Sequence, residues 1–274
     1  MQCGPQELGS VVLSRPGPTL DNRAGVPLAA LRPSEYTAAL IQALRARRTV
    51  VRDAYVLEIG SGSGVVLAAL ADLGAASLCG IDIEEDAVAS GTLLLDELGH
   101  GERAEFHQGD MWRPVAGRRF DLIVANLPHS ALVDAHVPGR RATWSEAGAD
   151  GRRLLDPFLE GLGRHLAPGG RAYITHNGFV GLDRSRRMLA RAGFTLEVVL
   201  TTLVNLHDEK LARMTPGVLA AEEGRTIHRH GPYAFAELHI AEIAASAAPS
   251  RQLRRSGSPR RAARDRSRPV DAPS

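Results

Sequence analysis

A chain of 274 residues, 44% of them apolar, is long enough for one well-packed domain with appendages, and no stretch approaches the roughly 18 uninterrupted apolar residues that a membrane span needs. The amino terminus, MQCGPQELGS, has no apolar signal region, so a cytoplasmic location and no membrane partner are expected. The formal charge of +2 combines two regions of opposite sign: residues 249–274 hold eight Arg, no Lys and two Asp, a net of +6, which leaves −4 for residues 1–248. A mildly acidic folded part argues against a broad phosphate-binding face, because sequence-independent nucleic-acid affinity comes from clustered Lys and Arg. Cys3 and Cys79 make neither a disulfide framework nor a zinc set, and Cys79, inside an apolar run, is expected in the core.

Residues 1 to about 32 are rich in Gly and Pro without periodicity and read as an arm. Ser34 can cap a helix whose apolar positions Ala38, Ile41 and Leu44 repeat at helical spacing to about Arg48. From there strands are predicted at 54–59, 77–82, 103–108, 119–125 and 171–176, and helices at about 64–73, 84–98, 151–166 and 182–192. This alternation implies an α/β fold, a Rossmann-like mostly parallel sheet of seven strands with helices on both faces. Two further runs, Thr195 to Leu206 and Ala234 to Ile243, follow each other without a crossover helix and predict an antiparallel pair at one edge, with an antiparallel last strand. The polar insertion between them, His207 to Tyr233, is expected to overhang the site. The organisation is therefore an arm and helix over 1–50, a central domain over 51–245, and an Arg-rich tail over 246–274 too poor in apolar surface to order.

Glu58-Ile59-Gly60-Ser61-Gly62-Ser63-Gly64 lies between a predicted strand and a predicted helix, where glycines permit a tight turn and let a ligand approach the backbone at the helix amino terminus. A plain glycine turn has the same spelling. Asp82 ends the second strand at the distance from these glycines where an acid meets a ribose diol; its alternative is a cap for the helix that opens with Glu84, Glu85 and Asp86. Asp110, after the third strand, is placed to accept from an adenine amino group, and Asp is also common in turns. Asn126-Leu127-Pro128-His129 follows the buried run Phe120 to Ala125. An Asn side-chain oxygen and the Leu127 carbonyl, held extended by Pro128, offer two fixed acceptors to a planar NH2 group. Asn126 as a mere turn residue, and His129 as a stacking ring or a plain loop histidine, are the alternatives.

In this order these residues resemble the class I S-adenosylmethionine-dependent methyltransferases, and within them the HemK family of release-factor glutamine methyltransferases. The resemblance rests on Pro33-Ser34-Glu35-Tyr36-Thr37, on the glycine segment, on Asp121 to Asn126, and on Thr143-Trp144 with Gly148-Ala149-Asp150-Gly151-Arg152. It covers about residues 33 to 200. It implies S-adenosyl-L-methionine as cofactor, with Thr37, Glu58, Gly60, Ser61, Gly62, Gly64, Asp82, Asp110 and Asn126 around it. It also implies Asn126, Leu127, Pro128 and His129 at the methyl acceptor. The family carries Asn-Pro-Pro-Tyr, so Leu127 and His129 are departures; Leu127 keeps its carbonyl, while His129 exchanges a phenol for a smaller titratable ring.

The resemblance implies N-methylation of a protein glutamine, with a release factor as partner. An adenine of RNA or DNA, a small metabolite, and a non-catalytic cofactor-binding relative are the competing readings, and the tail arginines leave room for a weak RNA contact. No metal is expected, since His228, His230, His207 and Glu222 lack helical ligand spacing. Trp144 reads as core or as a stacking surface.

Overall fold

The computed structural model describes residues 33–133 and 147–246. The arm, the tail, Cys3, and Thr143 with Trp144 lie outside the described residues. Helix α1 (Glu35–Ala46) starts at Ser34, whose backbone N–H donates to the Thr37 hydroxyl (3.3 Å), and it buries Leu40 and Leu44. Two βαβ series follow: β1 (Tyr55–Ile59), α2 (Val65–Asp72), β2 (Ser77–Asp82), α3 (Glu85–Glu97) and β3 (Ala104–Gln108), then β4 (Phe120–Ala125), α4 (Leu155–His165), β5 (Leu166–Asn177), α5 (Leu182–Arg191) and β6 (Phe194–Asn205). The apolar runs make strands because both faces of the sheet are covered; in β4 only Asp121 is exposed. Cys79 is fully buried, as expected of a core residue.

The sheet runs β3-β2-β1-β4-β5-β8-β6, with β8 (Tyr233–Ala245) antiparallel to both β5 and β6. The antiparallel edge pair is as read from the sequence. An eighth strand, β7 (Ile227–His230), pairs with β8 and raises the count above the expected seven. It belongs to the insertion, which is folded: α6 (Asp208–Leu211), α7 (Pro216–Glu222) and β7 succeed one another within it. Met214 bridges Leu132, the Val133 N–H donates to the Arg213 carbonyl (2.9 Å), and the Thr215 N–H donates to the Ala131 carbonyl (3.0 Å). The insertion is thereby fastened to the segment that follows Asn126 to His129. Among the described residues no helix is long and apolar enough to cross a membrane.

Strand order reverses between β1 and β4, and open α/β sheets bind ligands in the crevice at such a switch point, beyond the strands' carboxyl ends. Parallel pairing sets Ile59 opposite Ala125, so Gly60 and Asn126 emerge side by side.

Gly64 caps α2 in the left-handed region (φ 78°), and a Cβ there would lie 2.8 Å from the Gly91 Cα on α3. Two glycines facing each other let the helices approach backbone to backbone. Gly64→Ala combines left-handed strain with overpacking against main chain, and a loss of roughly 2–4 kcal/mol in urea unfolding is expected.

Candidate active site

A cavity of about 940 Å³ opens at the switch point. Glu58, Gly60, Ser61 and Gly62 from the β1 end, Asp82 from β2, Asp110 after β3, Thr37 from α1, and Asn126 to His129 after β4 all line it. Gly64 does not; its conformation serves helix packing. Met111, beside Asp110, lines the cavity with φ at 49°, a strained value for a side chain of that size.

The glycine turn is tied to β2. The Gly60 and Ser61 N–H groups donate to the Ile81 carbonyl (2.8 and 2.9 Å), and the Gly62 N–H donates to Asp82 Oδ2 (2.8 Å). Asp82 Oδ1 accepts from the Glu84 N–H (3.0 Å) at the start of α3. One carboxylate thus braces the glycine turn and the next helix while facing the cavity. Burial raises its pKa, against the lowering effect of those N–H bonds. Glu58, 2% exposed, is held well above the usual carboxylate range, by burial first and the nearby Asp82 second.

Asn126 is oriented at both ends. Its Nδ2 donates to the Thr37 hydroxyl (3.3 Å), and its Oδ1 accepts from the Thr175 hydroxyl (2.9 Å), which holds the side chain between α1 and β5 and leaves Oδ1 one lone pair. His129 turns back on its own loop. Burial lowers its pKa to about 4, so the ring is neutral; since a carbonyl can only accept, the proton sits on Nδ1 and is donated to the Leu127 carbonyl. The Leu127 carbonyl is therefore engaged once, keeping one of its two lone pairs. Tyr36 from α1 meets the His129 ring edge-on at 5.8 Å between centroids, and Lys210 from α6 lies 5.4 Å over the Tyr36 ring.

Buried polar atoms lacking a protein partner cluster here. Among the described residues Glu58 Oε2, Ser61 Oγ, His129 Nε2 and Asn177 Oδ1 have none, and all four of these residues line the cavity. Buried polar groups are ordinarily satisfied, so their concentration at one cavity marks a place completed by a bound molecule.

The model of a methyltransferase domain matches residues 56–145. A protein of Methanocaldococcus jannaschii that carries the provisional name protein N5-glutamine methyltransferase is 30% identical over 172 residues, spanning 61% of this chain and 85% of that one. The chain belongs to the HemK-like class I methyltransferases. A release factor glutamine methyltransferase of Xylella fastidiosa is 29% identical over 202 residues, 70% of each chain. In fold, this methyltransferase is similar to the E. cuniculi Mtq2-Trm112 complex responsible for methylation of the eRF1 translation termination factor (TM-score 0.50, 15% identity, 80% of this chain and 99% of that one).

Family membership implies S-adenosylmethionine as methyl donor, and the cavity fits it: the glycine turn leaves main chain open, with no atom within 4 Å of a Cβ built on Gly62, and the unpartnered Glu58 and Ser61 oxygens lie beside that turn. In this methyltransferase Thr175 and Asn177 escaped sequence reasoning although both sit at the carboxyl end of a strand, the position that pointed to Asp82. Tyr36, from the Pro33–Thr37 segment, and His207, Glu209 and Lys210, from the insertion expected to overhang the site, also line the cavity, although none of the four was named as a site residue from sequence. His228 pairs with Glu237 (3.1 Å) and the His230 ring lies against Phe235.

Glu58→Gln separates binding from stability. The folded-state pKa of Glu58 is raised, so the stability linked to its protonated form is complete below the unfolded pKa and is lost as pH rises from there toward the folded value. Glutamine removes that dependence. Urea unfolding is expected to show a variant more stable than wild type by a margin that vanishes near pH 4 and widens with pH, by up to about 1.4 kcal/mol per unit. Calorimetry is expected to show weaker S-adenosylmethionine binding by about tenfold, the value of one hydrogen bond.

Proposed function

We propose that this chain transfers a methyl group from S-adenosylmethionine to the side-chain amide nitrogen of a protein glutamine, with a release factor as acceptor. The observation that carries the reading is the Asn126 amide, locked by Thr37 and Thr175 beside the glycine turn, with the Leu127 carbonyl next to it. The sulfonium cofactor supplies an activated methyl when bound at the glycine turn. Glu58 and Asp82 would hold it there by accepting hydroxyl or ammonium hydrogens, and Thr37, Ser61 and Asp110 line the same space.

An amide nitrogen is a poor nucleophile because its lone pair is delocalised into the carbonyl. Asn126 Oδ1 and the Leu127 carbonyl, each with a lone pair left, take its two hydrogens and turn the nitrogen toward the methyl. As the nitrogen–carbon bond forms and the sulfur–carbon bond breaks, the same two oxygens stabilise positive charge growing on nitrogen, and the proton then leaves to solvent. His129 draws on the Leu127 carbonyl from its other side and fixes it. The curated relatives named as protein glutamine methyltransferases support the acceptor class.

Incubating the protein and labelled S-adenosylmethionine with a release factor is expected to label the release factor. A release factor left unlabelled while the protein binds S-adenosylmethionine contradicts this acceptor.

A further inference from the structure

Asn177 ends β5 and lines the cavity, and it is 1% exposed. Its Nδ2 donates to the His129 carbonyl (3.3 Å), tying β5 to the turn that follows Asn126. That contact fixes which way the amide faces, because an oxygen set against the His129 carbonyl would oppose it. Oδ1 is therefore the remaining atom, and it is buried without a partner among the described residues. His129 Nε2, the deprotonated ring nitrogen, is a second buried acceptor in the same state.

The acceptor end thus holds more hydrogen-bond acceptors than a primary amide can satisfy. Asn126 Oδ1 and the Leu127 carbonyl use both amide hydrogens of a glutamine, and no amide hydrogen is left for Asn177. A buried acceptor is expensive to leave unmade, so a donor is expected from whatever binds. In a peptide the next available donors are the backbone N–H groups beside the glutamine.

We propose that Asn177 is a recognition residue, which holds the His129 carbonyl with its nitrogen and takes a backbone N–H of the acceptor peptide with its oxygen. This rests on the glutamine reading above and adds that the enzyme recognises the peptide frame around the side chain. A free primary amide leaves Asn177 unsatisfied and is a poor substrate.

The test compares wild type with Asn177→Ala on a glycine-flanked glutamine peptide. The same peptide is also assayed N-methylated at the glutamine backbone nitrogen and, separately, at that of the following residue. Asn177→Ala is expected to raise the KM of the parent peptide about tenfold, the worth of one hydrogen bond, with the Kd for S-adenosylmethionine within about twofold. One N-methylated peptide is expected to lose about tenfold on wild type and nothing further on the variant, the non-additivity of two partners in one contact. An unchanged KM, or losses that multiply for both peptides, overturns the proposal. Asn177→Ser replaces Ala if the latter does not fold. If wild type leaves the parent peptide unmethylated, the glutamine reading fails; Asn177 is then judged on proteins labelled in a lysate lacking this chain, where undiminished labelling by Asn177→Ala overturns its role.

Discussion

Asn126→Ala is expected to slow methyl transfer by about 10²–10³-fold, the usual cost of deleting one preorganised group that meets developing charge. The contacts that hold the side chain argue that the loss falls on catalysis rather than folding. Thr37 and Thr175 each lose one partner, but a hydroxyl rotates to another partner or to water, so the stability change is about 1 kcal/mol. Single-turnover rates at saturating S-adenosylmethionine, beside a calorimetric Kd for the cofactor, separate the two effects. A variant that binds cofactor as wild type does and transfers at the wild-type rate contradicts the role given to Asn126.

Arg152→Ala is expected to destabilise the protein by about 3–5 kcal/mol, the cost of breaking a buried ion pair that also carries hydrogen bonds. Arg152 is 3% exposed. Its guanidinium donates to Asp156 (2.8 Å from Nε), to the carbonyls of Val180 and Gly181, and to Ser185 Oγ (3.0 Å). Ser185 in turn donates to His176 Nε2 (2.9 Å), and His176 Nδ1 donates to the Asn177 carbonyl (2.8 Å). Burial lowers the His176 pKa to about 3, so the ring is neutral and its Nε2 accepts. Without the guanidinium, Asp156 keeps, among the described residues, the half-exposed Arg184 (2.6 Å), and the Val180 carbonyl loses a buried donor. The chain of bonds ends at Asn177, beside the acceptor turn. Transfer is therefore expected to fall at temperatures where the variant is still folded. Thermal unfolding followed by circular dichroism gives the stability change, and rates well below the transition give the second effect.

The Gly148 to Arg152 segment shows what spelling alone withheld. It entered as a family signature, with no physical task attached. In the structure Gly151 (φ 72°) passes so close to the acceptor turn that a Cβ would lie 3.0 Å from the His129 carbonyl and 2.6 Å from Val180 Cγ1, while Arg152 anchors the segment from behind. Both roles depend on partners distant in sequence, on the acceptor turn, the turn at Val180 and Gly181 after β5, and α5, which no local pattern could name. Strands β1, β2 and β4 were legible because buried parallel strands are nearly continuous apolar runs. Helices α6 and α7 were not, since they are short and only partly bury Leu211, Val218 and Leu219 against the core; in sequence they look like a polar loop.

The glycine segment divides in a way that spacing cannot show. Gly60 and Gly62 belong to the cavity and Gly64 to the α2–α3 contact, yet each has positive φ. Asp82 likewise meets both of its readings, since it braces the start of α3 and faces the cavity with the same carboxylate. The departures Leu127 and His129 are internally matched: the histidine proton goes to the carbonyl of the residue that replaces proline. The acceptor turn keeps its fixed geometry through that bond in place of a second rigid ring.

The most direct measurement is the chemical identity of the methylated atom. After reaction of labelled S-adenosylmethionine with a release factor, proteolysis and fragment-ion mass spectrometry are expected to place the methyl on a glutamine side-chain nitrogen, and Asn126→Ala is expected to remove that signal. A methyl found on a lysine, an arginine, a carboxylate or a nucleic-acid base contradicts the account.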